Sequence, residues 1–272
     1  MPDFERLFKR LKKKEKKSRW RCLCAYDGTT FNGWQKQTNR ESVQDNIEQC
    51  LSLIFGQPIR TIGAGRTDAG VHASGQVFHF DATWTHSARA LLQAMRVGLP
   101  EGISPRKIDM VPDRFHAHLS AKGKRYLYRI CPGWAMPEVD RYVYSMKERK
   151  LDFQAMQRAA GYFVGTHDFA AFSANRGNGE EEPTIRTLWR SEWRVRGEEL
   201  HFITEGRGYL YKMVRSMVGS MIDVGRGRIS PEEIPRILQT THRTARVVSA
   251  PAKGLSMDKV FYRLPRRAIS AE

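Results

Sequence analysis

The hydrophobic periodicity of this chain switches between two and about 3.6 residues in the same order twice, and that succession narrows the available folds more than any other feature. From Trp20 to Tyr26 apolar and polar residues alternate, and Asp27-Gly28 and Asn32-Gly33 mark turns. Ser42 with Asp45 three residues on has the spacing of a capping box. Behind it Val43, Ile47, Cys50, Leu51 and Ile54 form one apolar helical face as far as Gly56. Strands are predicted over 59–62, 76–81 and 104–111, with a helix over 88–97, so the first half reads βαββαβ. The second half repeats the order, with a strand over 124–131, a helix over 152–164, strands over 185–195 and 200–205, helices over 210–224 and 231–238, and a strand over 259–264.

Two such series predict an α+β fold. Two ferredoxin-like βαββαβ halves join into one mixed, mostly antiparallel sheet with helices on one face and an active-site cleft between the halves. The expected division is a basic N-terminal arm at 1–19, an N-terminal half at 20–112 and a C-terminal half at 113–272. Residues 175–182, rich in Gly and Glu, read as a loop.

Charge narrows the function. The 272 residues carry 46 Lys and Arg against 29 Asp and Glu, a net +17. Residues 1–19 hold nine basic and three acidic side chains, so the arm explains only part of the excess. A basic body of this kind points to a polyanionic partner. No apolar stretch is long enough to span a membrane and none follows the N-terminal lysines, which predicts no membrane association, no signal peptide and a cytoplasmic location. Cys22, Cys24, Cys50 and Cys131 form no CxxC pair and the histidines no HxxxH, so no metal site is readable.

The densest chemical signal is Gly63-Ala64-Gly65-Arg66-Thr67-Asp68-Ala69-Gly70-Val71-His72-Ala73. Three glycines in eight residues between two strands make a tight loop rather than a helix. Asp68 stands where a dinucleotide fingerprint needs its third glycine, and no GK[ST] is present, so the loop presents an acid instead of cradling phosphate. Beside Arg66, that carboxylate is favoured in its ionised form, which suits a nucleophile or base. An aspartate that merely holds the loop's shape fits the same residues.

The string closely resembles the signature of the TruA family of tRNA pseudouridine synthases. Tyr26-Asp27-Gly28, Gly33-Trp34-Gln35-Lys36-Gln37 and Ser42-Val43-Gln44 precede it in the family's order. Phe115-His116-Ala117, Lys124-Arg125-Tyr126-x-Tyr128, His167-Asp168-Phe169 with Phe172, Leu210-Tyr211-Lys212-Met213-Val214-Arg215 and Ala250-Pro251-Ala252-x-Gly254-Leu255 follow it. The match runs from about Trp20 to Leu264. It implies a bacterial-type isomerase that turns uridine into pseudouridine in the anticodon arm of tRNA, at positions 38, 39 and 40, without any cofactor, and a homodimer whose tRNA crosses both subunits.

Residue by residue, the resemblance makes Asp68 the catalytic aspartate, attacking either C6 of the base or C1′ of the ribose. Arg215 pairs with Asp68, and Tyr126 lies against the target base. Arg66 is the candidate to replace the flipped base, because a guanidinium both stacks and binds phosphate. Where the family commonly shows FHAR, this chain has Phe115-His116-Ala117-His118, exchanging a permanent charge for one that titrates near neutrality. Composition alone also fits a non-enzymatic RNA-binding protein, with Trp34, Tyr126, Tyr128 and Tyr209 as stacking platforms. A metal-dependent nuclease would need an acidic cluster, and Asp68 stands beside Arg66 instead.

Overall fold

The computed structural model describes residues 17–37, 41–147, 150–174, 182–240, 242–265 and 268. The basic arm therefore falls almost wholly outside the described residues, as does most of the Gly/Glu-rich loop. Strand β1 (Ser18–Tyr26) buries Trp20, Cys22, Cys24 and Tyr26 on one face. Helix α1 (Val43–Phe55) starts where Ser42 accepts the amide of Asp45, and it stops at Gly56, whose φ of 63° is left-handed. After β2 (Ile62–Gly63) come β3 (His72–Ala82), α2 (Ala88–Gly98) and β4 (Ile103–Val111). The second series runs through β5 (Gly123–Cys131), α3 (Pro137–Asp140), β6 (Tyr144–Ser145), α4 (Phe153–Gly161), β7 (Gly165–Asp168), β8 (Ile185–Arg196), β9 (Glu199–Gly206), α5 (Met213–Gly225), α6 (Glu233–Leu238) and β10 (Leu255–Phe261).

The strands form one sheet in the order β4-β1-β3-β10-β5-β9-β8-β7, with β2 on β3 and β6 on β5. Within it β4-β1-β3-β2 and β10-β5-β9-β8 repeat one spatial order, that of the split βαββαβ unit. Among the described residues only the β3–β10 and β5–β6 pairings are parallel. The four cysteines are buried free thiols, and one apolar cluster runs through both halves.

Several boundaries differ from the sequence reading, each for a local reason. The predicted strand over 59–62 shrinks to Ile62–Gly63, because the Thr61 amide donates to Glu48 Oε1 of α1 instead of to a neighbouring strand. The helix predicted from residue 210 begins at Met213, since Lys212 takes a left-handed φ of 59°. β3 starts at His72, four residues early, because His72 and Ala73 pair with Ser256 and Met257 of the distant β10. β10 itself lies at 255–261 rather than 259–264, with an irregularity between Met257 and Lys259. β6, β7 and α3 carry too few residues to show a period.

The seam between β3 and β10 depends on Gly75. A Cβ there would run into the carbonyl oxygen of Asp258, and would lie 2.8 Å from its carbonyl carbon. The Asp258 side chain bridges the same seam, accepting from Ser74 Oγ on β3 at 3.2 Å and from Arg125 Nη1 on β5 at 3.2 Å. Because backbone rather than a flexible side chain blocks the space, Gly75→Ala is expected to destabilise the fold by about 3 kcal/mol. Thermal unfolding should show a fall of roughly 6–12 °C for a chain of this size, and an unshifted midpoint contradicts this account of the seam.

Candidate active site

The loop at 64–71 leaves the sheet where β3 changes partners. The Ala64 amide still donates to the Val77 carbonyl at 2.7 Å as a hairpin would. One residue on, Gln76 Nε2 takes the Gly65 carbonyl at 2.9 Å in place of a backbone bond. The far side is clamped by the segment after β1. The Trp34 amide donates to the Thr67 carbonyl at 3.1 Å, the Tyr26 hydroxyl meets Thr67 Oγ1 at 2.8 Å, and the Gly28 amide donates to His72 Nδ1 at 3.0 Å. Gly28 is required because a Cβ would strike the Val71 carbonyl. Gly33 is required by its φ of 81° and by the Thr67 carbonyl 2.5 Å from where a Cβ would sit. The Tyr-Asp-Gly and Gly-Trp-Gln motifs thus hold the shape of a loop forty residues downstream.

The loop carries Asp68 to the first turn of α5. Arg215 Nη1 donates to Asp68 Oδ2 at 3.1 Å, and Arg215 Nε donates to the Ala250 carbonyl at 2.8 Å. The Ala250 amide in turn donates to the Arg215 carbonyl at 2.9 Å. The next residue, Pro251, is fixed by the Tyr128 hydroxyl, which donates to its carbonyl at 2.7 Å. A chain of contacts from β5 through the 250–251 segment therefore aims the guanidinium at the carboxylate. Both side chains keep access to solvent, at 15% for Arg215 and 22% for Asp68.

Tyr126 sits edge-on against Tyr209, with ring centroids 4.9 Å apart. Burial pushes both phenols well above their ordinary range, so both are neutral groups. Asp68, Arg66, Tyr126, Tyr209, Tyr211 and Lys212 are among the residues lining one cavity of about 560 Å³. Three of the four site residues expected from the sequence, Asp68, Tyr126 and Arg66, therefore line one cavity, and Arg215 reaches it through Asp68. Arg66 is exposed, and among the described residues it makes no ion pair with Asp68; the arginine that does is Arg215. Sequence reasoning left the Ala250 carbonyl and Gln76 without roles, because a backbone acceptor and a neutral amide carry no pattern of their own.

The Phe115-His116-Ala117-His118 turn packs beneath the loop. The Ala117 amide donates to His79 Nδ1 at 3.1 Å. His116 Nδ1 accepts from the amides of His118 and Leu119. His118 Nδ1 lies 2.9 Å from the Ala64 carbonyl, and since a carbonyl only accepts, that nitrogen carries the proton. Burial, with Arg19 and His116 nearby, pushes His79 down to about 4. A histidine lowered in the fold adds stability that is complete above the unfolded value of about 6.5 and is lost as pH falls from there towards 4. His79→Asn keeps an acceptor for Ala117 and removes the titration. Denaturant unfolding between pH 7 and 4.5 should lose on the order of 1–2 kcal/mol less in the variant, after allowance for solvent screening. Parallel curves for the two proteins rule this source of acid sensitivity out.

Arg215 thus holds the Asp68 carboxylate beside a cavity walled by Tyr126 and Tyr209, on a sheet built from two split βαββαβ units. The sequence profile of the family described as tRNA pseudouridine synthase matches residues 23–118 and 159–263, and the chain belongs to that family. It is similar to tRNA pseudouridine synthase A of Acetivibrio thermocellus, with 40% identity over 241 residues, 88% of this chain and 98% of that protein. The protein of the same name from Anoxybacillus flavithermus is 40% identical over 245 residues, 90% and 98% of the two chains. That of Bacillus subtilis is 36% identical over 248 residues, 90% and 99%. The activity is that of an isomerase, converting uridine to pseudouridine in tRNA.

Proposed function

We propose that this chain forms pseudouridine at positions 38, 39 and 40 of the tRNA anticodon arm, with Asp68 as nucleophile. The observation that carries the reading is the Asp68–Arg215 pair, formed across the cleft between residues 147 apart in the chain. A carboxylate oxygen of Asp68 bonds to the substrate, at C6 of the base or at C1′ of the ribose. The N1–C1′ bond breaks with its electron pair on the base, the uracil turns, and C5 bonds to C1′ as Asp68 is released. The proton leaving C5 is balanced by the one gained at N1, so no atom is gained or lost. Such a sequence needs a held base and excluded water, and the buried Tyr126–Tyr209 pair supplies an apolar wall for the first. Arg66, exposed at the rim, is the group that enters the stack vacated by the flipped nucleotide.

The units proposed for this work are the arm at 1–19, the half at 20–112 that presents Asp68 and the half at 113–272 that presents Arg215 and Tyr126. The family resemblance supports a homodimer acting on tRNA in the cytoplasm. Among the described residues no helix is long and apolar enough to cross a membrane.

Asp68→Asn keeps size and most loop hydrogen bonds but removes the charge. It should abolish pseudouridine formation on an unmodified tRNA transcript while leaving tRNA binding within about twofold; a few per cent of residual turnover overturns the assignment. Arg215→Lys keeps a cation but loses the reach to both Asp68 and Ala250. Turnover should fall about 10²-fold with tRNA affinity nearly unchanged. Matching losses in affinity and turnover would make Arg215 a phosphate contact instead.

A further inference from the structure

A second cavity, of about 780 Å³, lies on the other side of the wall formed by Gln35, Arg66, Tyr126 and Tyr209, which line both spaces. Its remaining lining includes Gly65, His116, His118, Lys124 and Glu182. We propose that this cavity is a phosphodiester subsite, in which Lys124, with Arg66 and His116, holds a backbone phosphate flanking the uridine that enters the Asp68 cleft. The inference rests on the RNA-isomerase reading of that cleft.

Three observations carry it. Lys124 is half-buried and its ammonium packs over the catalytic loop, close enough that a Cβ on Gly65 would sit 2.9 Å from Lys124 Cε and 3.3 Å from Nζ. Among the described residues no carboxylate pairs with it. Glu182, the acid lining the cavity, is bound to Arg186 Nη2 at 2.6 Å. Burial, and then the charge of Arg186, lower the pKa of Lys124. Second, His116 lines this cavity and accepts two amides at Nδ1, so its ring proton sits on Nε2. Third, the shared wall makes the two spaces neighbours, so a strand whose nucleotide is flipped into one has its adjoining phosphate at the mouth of the other. His118 behaves differently, because its Nδ1 proton is committed to the Ala64 carbonyl. The donors assigned to the phosphate are Lys124, Arg66 and His116.

Binding of unmodified tRNA to the Asp68→Asn protein, read as log affinity against log salt, separates this subsite from catalysis. Lys124→Met retains the apolar stem and removes the ammonium. It should weaken binding about 5–10-fold at moderate salt and flatten the slope by about 0.7–0.9, the share of one phosphate; Lys124→Arg should restore both. Lys107→Gln, which removes a lysine paired with Asp109 and lining a separate cavity beside Arg21 and Leu23, should leave the slope alone. Independently of any variant's folding, a tRNA carrying a neutral methylphosphonate beside the target uridine should lose the same slope increment. Combining that tRNA with Lys124→Met should add no further loss. An unchanged slope in Lys124→Met, an equal loss in Lys107→Gln, or additive losses in the combined experiment overturns the subsite. Failure of the wild-type protein to form pseudouridine in tRNA would instead sink the underlying functional reading, and is scored separately.

Discussion

The architecture turns on β10, a strand from the end of the chain that lies parallel to β3 of the first half and antiparallel to β5 of the second. β3 shares one edge between two partners, β2 at His79 and Phe78 and β10 at His72 and Ala73. The loop from Ala64 to Val71 occupies the gap where one partner has ended and the other has begun. Its backbone cannot be satisfied by the sheet there, so Gln76 and Trp34 supply the bonds, while the Tyr26 hydroxyl holds the Thr67 side chain. The same seam that needs a glycine at position 75 therefore leaves room for the loop that presents Asp68.

Charge is sorted between the faces of the sheet. One face packs helices over the apolar core. Across the other run ion pairs between neighbouring strands. Arg21 pairs with Asp109, Arg129 with Glu199, and Arg125 and Arg190 converge on Glu205. The Glu205 carboxylate is fully buried and takes a third hydrogen bond from Trp189 Nε1, so its desolvation is met by three donors. Charges neutralised in this way contribute little to a long-range field. Arg66 and Lys124 at the cleft, without acidic partners among the described residues, contribute more of the attraction to a polyanion.

Under the proposed assignment of Asp68 as nucleophile, catalysis is a matter of orientation. The guanidinium of Arg215 is held by Ala250 as well as by Asp68, and the tyrosines lining the same cavity as Asp68 are neutral and packed edge to face. A preorganised carboxylate loses little on meeting the reacting atom, whereas a free one would have to be ordered first.

The two βαββαβ series, the capping of α1 by Ser42, the buried face of β1 and the glycine loop around Asp68 were all legible in the sequence, because each rests on spacing within a few residues. The motif series likewise pointed to the family, and it named four candidate site residues without showing how they meet. Tertiary structure alone decided where β3 and β10 begin, since their ends are set by pairing between residues about 180 apart. It also decided that Asp68 is held by Arg215 rather than by its neighbour Arg66, because an ion pair depends on distance in space. The carbonyl of Ala250 and the cavity around Lys124 belong to the same class. A backbone acceptor is present at every position and a lysine is common, so their meaning appears only when the fold places them beside the loop.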